Sequence, residues 1–481
     1  MTNTTRISSA VTAALCALVA TLSFSCSGDG DGMDVGDGKS PSRIIDLRVK
    51  AVTPTTVALE WTAPGDDDTV GTASHYDIRY TTAVLTWENW DAALPVSGEP
   101  APGPFGSTDS MIVTGLTEDS TYYFGMITQS HGGKWSSLSD IISATCFDDF
   151  VVAFPDPKLD LIIRAQIAIP TEPIHRSDLL PVWQVSAISQ AIASLSGMEY
   201  CINLDALLMR YNQVSDLSPL AGLVKMRALQ LGVNNISDIS PLVGLVNLEQ
   251  FQLDQNYLII DISAMAGMTK LTDVHLAFNS ISNISALAGK TAMTTLRLYG
   301  NDISDISPLA GMSKLTLLEI DANLVFDISP LAGATDLVVL NLSSNYVADI
   351  SVLAGMTKLE DLSLIGNQIS DLSPLSGLTA LKRLFLSDNP IADVSALSGL
   401  AALEYASIHN CDIVDVSPLQ GLPNLQHLNL NDNLISDIAP LAANAGLGAG
   451  DFLYLTGNPL SKESIDVHIP ALQARGVTVA Y

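Results

Sequence analysis

The sequence predicts a multidomain protein in which an all-β sandwich precedes a solenoid of short repeats. Apolar and polar residues alternate in several runs within residues 41–146, which is the period of strands with one buried face. Residues 204–457 instead repeat a leucine-rich pattern with a period of 22 residues. A repeat of this length has room for one β-strand and a short 3₁₀ or irregular arc, so we expect the strands to stack side by side.

Residues 1–26 are typical of an export signal. Arg6 precedes an apolar run at residues 10–22 that is too short to span a membrane comfortably. The ending LSFSC resembles a bacterial lipoprotein cleavage site, which implies a lipid on Cys26 as the first mature residue. Ser23 stands where such sites usually carry Leu, so an ordinary cleaved signal with an incidental Cys is the alternative. In both cases we expect an exported protein, either a cell-envelope lipoprotein or an extracellular one.

Composition limits the partners and cofactors. The formal net charge of −29 disfavours nucleic acid and anionic lipid, so we expect membrane contact only through the N-terminal anchor. Residues 27–40 are rich in Gly and Asp and predict a flexible tether. Beyond Cys26 lie Cys146, Cys201 and Cys411, whose spacing predicts no metal site and no cofactor. A bridge between Cys146 and Cys201 and isolated buried thiols are both compatible with this count.

Residues 41–146 predict the sandwich. In VALEW, for example, Val57, Leu59 and Trp61 alternate with residues that can face outward. This stretch resembles a fibronectin type III domain of the bacterial extracellular kind, because Trp61 occupies the position of the core Trp. Tyr122, six residues after Leu116, matches the tyrosine corner, and GGKWSSLSD matches the approach to the last strand. The resemblance implies a spacer domain.

The repeats follow the template Leu-x-x-Leu-x-Leu-x-x-Asn-x-Ile, then Ser-Asp-Ile-Ser-Pro-Leu-x-Gly-Leu, and twelve copies are present, the last continuing into residues 458–481. This is a leucine-rich repeat, and its form is similar to the repeats of internalin-type bacterial surface proteins. Residues 147–203 resemble the helical N-terminal cap of bacterial repeat proteins, and residues 458–481 the C-terminal cap. The whole chain therefore resembles a bacterial internalin-like surface lipoprotein with an N-terminal fibronectin type III domain.

Two polar columns recur in the repeats. An Asn occupies one position from Asn212 to Asn458, where its amide can serve the backbone of adjacent coils. Cys411 replaces it in the tenth repeat, which the repeat template allows. An Asp follows four or five residues later, from Asp216 to Asp437, and a turn-capping role is predicted. A chain of calcium sites is the alternative for these stacked carboxylates.

No catalytic motif is present, so we expect no enzyme. AGKTA, with Lys290, lacks the earlier Gly of a phosphate loop. Residues between the Leu positions vary and are expected to point into the concave face, the solvent side of the strands. Aromatic and Arg residues dominate binding energy at interfaces. They and their polar neighbours give the predicted ligand-binding residues: His275, Arg297, Tyr299, Glu319, Phe385, Tyr405 and His409.

The predicted function is protein binding at a cell surface, in adhesion or assembly. This step follows from the family resemblance and from the large one-sided surface. Carbohydrate binding is one alternative, because aromatic side chains also stack on sugars. A structural envelope component without a specific ligand is the other.

Overall fold

The computed structural model describes residues 39–67 and 70–481. They belong to two compact units, which divide between Phe150 and Val151. The predicted signal, its Cys26 and nearly all of the predicted tether lie outside the described residues. Within the described ranges, the helices are too short or too polar to cross a membrane.

The first unit consists of seven β-strands in two antiparallel sheets, which confirms the predicted sandwich. One sheet has the order β1-β2-β5 and the other the order β4-β3-β6-β7. The strands are β1 (Arg48–Val52), β2 (Thr56–Thr62), β3 (His75–Thr81), β4 (Leu94–Pro95), β5 (Thr108–Thr114), β6 (Thr121–Gln129) and β7 (Ile142–Thr145).

The core of this unit lies where the two sheets face each other. Trp61 is fully buried, and its ring meets the ring of Tyr76 edge-on at 5.1 Å between centroids. The hydroxyl of Tyr122 accepts a hydrogen bond from the backbone N–H of Thr117 at 3.0 Å, which is the bond expected of a tyrosine corner. Cys146 lies in the same core as a free thiol.

The second unit is built on one parallel sheet of fourteen strands, which run from β8 to β21 in chain order. The strands are β8 (Gln184–Ser186), β9 (Ala206–Leu208), β10 (Ala228–Gln230), β11 (Gln250–Gln252), β12 (Asp273–His275), β13 (Thr295–Arg297), β14 (Leu317–Glu319), β15 (Val339–Asn341), β16 (Asp361–Ser363), β17 (Arg383–Phe385), β18 (Tyr405–Ser407), β19 (His427–Asn429), β20 (Phe452–Tyr454) and β21 (Thr478–Ala480).

Each strand pairs with the next residue for residue, as Leu318 with Leu340 and Leu340 with Leu362. The middle residue of each strand points inward, and those of β8 to β20 are buried; the first and third residues face solvent. The predicted twelve repeat strands are β9 to β20. The sequence did not predict β8 and β21, which extend the same register by one strand at each end.

Three short α-helices lie near the beginning and the end of the second unit in the chain. Helix α1 (Pro157–Ile167) begins after Asp156, whose carboxylate accepts the backbone N–H of Lys158 at 3.0 Å. Its Leu159 and Ile163 are buried in the same core as the repeats. Helix α2 (Ala439–Ala443) replaces a 3₁₀ turn, and helix α3 (Ile469–Ala474) follows a π-helical turn and buries Ile469.

The outer arc of each repeat is mostly a 3₁₀ turn such as Ser218–Leu220. Asp216 accepts the backbone N–H of Ser218 at 2.8 Å, and every Asp of the predicted column makes the same bond. In the fourth repeat Asn283 replaces the Asp, and its side-chain oxygen accepts the backbone N–H of Ser285 at 2.9 Å. The Asp therefore caps the turn, as predicted, and the Ser that follows lies inside the turn.

The Asn column forms a continuous asparagine ladder. Asn345 is typical: its amide donates to carbonyls of its own repeat and of the preceding one, at 3.0 Å to Leu342 and 3.1 Å to Ile320. Its side-chain oxygen accepts the backbone N–H of Val325 at 2.9 Å. The ladder therefore satisfies buried backbone groups that the irregular arc would leave unpaired.

The hydrogen-bond pattern of the asparagine ladder is incomplete at two positions, Cys411 and Asn279. Cys411 offers only its thiol, which lies 3.5 Å from the carbonyl oxygen of His409. The side-chain oxygen of Asn279 is buried and has no hydrogen-bond partner among the residues that the structure describes. The preceding repeat has one residue more than the others, since Leu248 and Leu271 are 23 positions apart. That extra residue displaces the N–H group that Asn279 would accept.

Lys290 is fully buried in the outer arc. Its ammonium donates to the backbone carbonyls of Met265 at 2.8 Å and Met268 at 3.1 Å. In the neighbouring repeats Met268 and Met312 occupy the same position. Burial lowers the pKa of Lys290, because removing an ammonium from water disfavours its charged form.

We expect Lys290→Met to raise the free energy of unfolding at pH 7 by about 1 kcal/mol, because a buried charge is replaced by a side chain that this position accepts. Between the lowered native pKa and the ordinary value of 10.5, the unfolded chain holds a proton that the native chain has lost. The native protein therefore gains stability as pH rises through this window. In urea denaturation from pH 7 to 10.5, the difference in the free energy of unfolding between Lys290→Met and wild type should become smaller. A difference that grows with pH would contradict this account.

Candidate functional site

The concave face presents three columns of side chains, at the first and third residue of each strand and two residues beyond the third. Every predicted binding residue lies in one of these columns and is half-buried. Tyr405 is in the first column, and Tyr299 and His409 are in the last. The third strand residues are His275, Arg297, Glu319 and Phe385.

The structure brings His275, Arg297 and Glu319 together on β12, β13 and β14. The guanidinium of Arg297 donates to Glu319 at 2.8 Å through Nε, and its Nη1 lies 2.5 Å from Nε2 of His275. The same Nε2 lies 2.9 Å from Asp273. Burial alone would raise the pKa of Asp273, but His275, Gln252 and the charge of Arg297 together outweigh it, so the pKa is lowered.

A concavity of about 450 Å³ opens beside this network and is named here the charged cavity. Arg210 forms its far wall and makes two hydrogen bonds to the carboxylate of Asp254, at 2.8 Å and 2.7 Å. The two parallel bonds hold both side chains in place. The lining includes Arg210, Gln252, Asp254, His275, Arg297 and Tyr299.

Tyr299 links the charged cavity to the edge of the sheet. Its ring meets the ring of Phe278 edge-on at 5.1 Å. The ring of Phe278 lies over Gly300, where an added Cβ would be 2.7 Å from it. The close approach of this ring is what requires glycine, because Ala322 and Ser344 adopt a similar positive φ at the same position of the next repeats. Burial raises the pKa of the Tyr299 hydroxyl, and so does the charge of Glu319.

A second surface, the aromatic ladder, lies on the last strands of the concave face. The rings of Tyr405 and His427 stack at 4.2 Å between centroids with 13° between their planes. Phe385 adjoins Tyr405 at 5.0 Å, and Tyr454 adjoins His427 at 5.2 Å. Phe452 is stacked beside Tyr454, and its side chain is 41% exposed. The ladder consists of Phe385, Tyr405, His427, Phe452 and Tyr454.

The aromatic ladder contains two of the predicted binding residues, Phe385 and Tyr405. The structure joins Phe385 to Tyr405 but shows no ring contact of His409 within the described part of the chain; its backbone N–H donates to Ser387 instead. Sequence reasoning missed His427, Phe452 and Tyr454. His427 and Phe452 occupy the first strand position, and the repeat template could have found them, because Tyr405 recurs as His427 and then as Phe452 in successive repeats.

His427 is the titratable member of the ladder. Burial among the rings lowers its pKa, and its Nδ1 is buried without a hydrogen-bond partner in the described structure. The ladder is thus apolar at neutral pH. In residues 39–67 and 70–481, the His, Cys, Asp and Glu side chains form no group of three that could hold a metal ion.

The comparisons with known proteins agree with these features. The family model "Fibronectin type III domain" matches residues 39–145, and the model "Leucine Rich repeats (2 copies)" matches residues 335–378, 357–399 and 401–443. Curated protein sequences gave no match.

Three solved structures illustrate the likeness. An internalin (inlF) from Listeria monocytogenes is 32% identical, with a TM-score of 0.55, over 68% of this chain and 91% of that one. An internalin C2 (inlC2) from the same organism is 29% identical, with a TM-score of 0.35, over 53% and 94%. A leucine-rich-repeat protein from Leptospira interrogans is 18% identical, with a TM-score of 0.47, over 64% and 97%.

The first of these likenesses decides the family, because it spans nearly the whole of the other chain at more than 30% identity. The predicted family is confirmed, and so is the accompanying β-sandwich domain. The chain belongs to the internalin-like leucine-rich-repeat proteins and carries an N-terminal fibronectin type III domain.

Proposed function

We propose that this protein acts at a cell surface and holds a protein partner on its concave face, in adhesion or assembly. The aromatic ladder carries the proposal. Soluble proteins rarely expose contiguous aromatic surface without a binding role, and interface energy concentrates in such side chains. The proposal includes export of the protein and its anchoring by a lipid on Cys26.

The geometry of the ladder favours a protein over a carbohydrate. Sugar rings bind to open aromatic faces, but the faces of Tyr405 and His427 are stacked on each other. Phe452 and Tyr454 are parallel, with 9° between their planes. The ladder thus offers mainly ring edges, which can pack against the aliphatic and aromatic side chains of a protein.

A paired-bait experiment tests this function. Residues 39–481 would be immobilised as wild type and as the double variant Tyr405→Ala, Phe452→Ala, and exposed to surface proteins of the producing cell and of its neighbours. We expect the double variant to lose a retained protein with a weakening of about 30-fold or more, which is the effect of removing interface hot spots.

The matched control is Tyr346→Ala. Tyr346 is 53% exposed but lies outside the strands, so its removal should leave retention unchanged. A partner that binds wild type and double variant equally would contradict the proposal. A glycan array with the same three baits would support the carbohydrate alternative if binding depended on Tyr405 and Phe452.

A further inference from the structure

The third repeat departs from the others beside the charged cavity. Its extra residue keeps Ile259 buried in the core and turns Tyr257, Leu258 and Ile260 outward, which are 60%, 60% and 63% exposed. The carbonyl of Phe278 accepts the backbone N–H of Tyr257 at 3.2 Å, so the two residues are neighbours. Phe278 is 42% exposed and contacts Tyr299. Tyr257, Leu258 and Phe278 thus form an apolar rim that continues into the cavity.

The charges around the cavity do not balance. The carboxylates of Asp254, Asp273 and Glu319 each have a basic side chain as partner. Asp321 lies beside Tyr299 in the register and accepts the side-chain amide of Asn341 at 2.9 Å. Among the described residues, it has no Lys, Arg or His within 4.0 Å, and the Tyr299 hydroxyl has no hydrogen-bond partner. Asp321 is therefore the carboxylate of this region that has no basic partner among the described residues.

We infer that the edge of the charged cavity, between Tyr299 and Asp321, takes a Lys or Arg side chain of the protein partner, and that the partner's neighbouring apolar residues pack on the rim formed by Tyr257, Leu258 and Phe278. This inference rests on the proposed function. The alkyl stem would lie against the Tyr299 ring and the charged end would pair with Asp321, which combines apolar packing with charge complementarity.

The electrostatics of Asp321 support this assignment. Burial raises its pKa, and the charge of Glu319 adds to the effect. A cation placed beside Asp321 would favour its ionised form. Binding should therefore release protons and weaken as pH falls through the raised pKa of Asp321.

Random peptides displayed on phage provide the probe, because the natural partner is unidentified. Selection on residues 39–481 should enrich peptides with a Lys or Arg next to apolar residues. For a selected peptide, Asp321→Asn should weaken binding about tenfold or more, and replacing the basic residue by Met should have the same effect. The two losses should not add when both changes are combined.

Asp361→Asn is the matched control, because Asp361 is another carboxylate of the concave face but is already paired with Arg383. It removes the same charge and should leave the affinity within about twofold. Leu258→Ser changes only an exposed side chain and should weaken the same peptides. Circular dichroism would verify that each variant is folded.

The outcomes separate the two proposals. Peptides that lack a basic residue, or that bind Asp321→Asn as well as wild type, would overturn the inference. If such peptides bind the Tyr405→Ala, Phe452→Ala variant more weakly than wild type, the proposed function is supported although the inference about Asp321 is wrong. Peptides indifferent to every variant on the concave face would contradict both.

Discussion

Replacing Asn345 by leucine is expected to lower the free energy of unfolding of the repeat unit by about 3–5 kcal/mol. The side chain of Asn345 donates to the carbonyls of Ile320, Leu342 and Ser343 and accepts the N–H of Val325, and all these bonds lie inside the protein. Leucine has a similar volume but leaves the buried N–H of Val325 unpaired. It also removes one of the two donors to each of the three carbonyls, which keep bonds from Asn323, Asn367 and the backbone N–H of Ala322. Urea denaturation followed by circular dichroism would measure the loss.

The tenth repeat allows the opposite substitution, in which an Asn is added to the ladder. Cys411 sits in the same column but leaves the carbonyl of Leu386 3.8 Å from its sulfur, too far for a strong bond. Cys411→Asn should restore the ladder and raise the free energy of unfolding by about 1 kcal/mol. If Asn345→Leu costs less than about 1 kcal/mol and Cys411→Asn stabilises nothing, the asparagine ladder does not stabilise the unit.

Gly197→Ala is expected to lower the free energy of unfolding of the second unit by about 3 kcal/mol. Gly197 has a φ of 98°, which an alanine adopts only with strain. Its added Cβ would lie 2.6 Å from the ring of Phe154 and 2.8 Å from the backbone oxygen of Ala153. Phe154 is buried in the same core as the repeats, so the clash would loosen the N-terminal end of the sheet.

Gly222→Ala is the control for this change. An added Cβ at Gly222 meets nothing within 4 Å, and its φ is not positive. Its effect should stay within about 1 kcal/mol of zero. Thermal unfolding would give the two stabilities, and hydrogen exchange should be faster in β8 of Gly197→Ala. Equal stabilities of the two variants would refute the close contact with Phe154.

The repeated part of the fold could be predicted because each position recurs. A Leu that is buried in one repeat is buried in the next, so the strands from β9 to β20 follow from the spacing alone. The strands β8 and β21 could not be predicted, because the sequences that form them, QVS and TVA, occur outside the repeat pattern. Their place is fixed by pairing with β9 and β20.

The candidate site was predicted in part for the same reason. His275 and Arg297 are 22 residues apart, and equal spacing places them side by side. Phe452 follows His427 by 25 residues, so counting by 22 passes it over, although the two are paired neighbours. The burial of Lys290 was also not predicted, because a Lys is usually a surface residue. Alignment with Met268 and Met312 of the adjacent repeats would have indicated a buried position.

Because the strands pair residue for residue, the distance between two side chains along the concave face is given by the number of strands between them. Arg297 on β13 and Tyr405 on β18 are five strands apart, which is about 24 Å at about 4.8 Å per strand. Gain or loss of one whole repeat between them would move the two surfaces by a single step of about 5 Å and leave their internal contacts unchanged. Because each repeat contributes one strand in the same register, the number of repeats between the two surfaces sets the spacing of the two contacts that a partner can make.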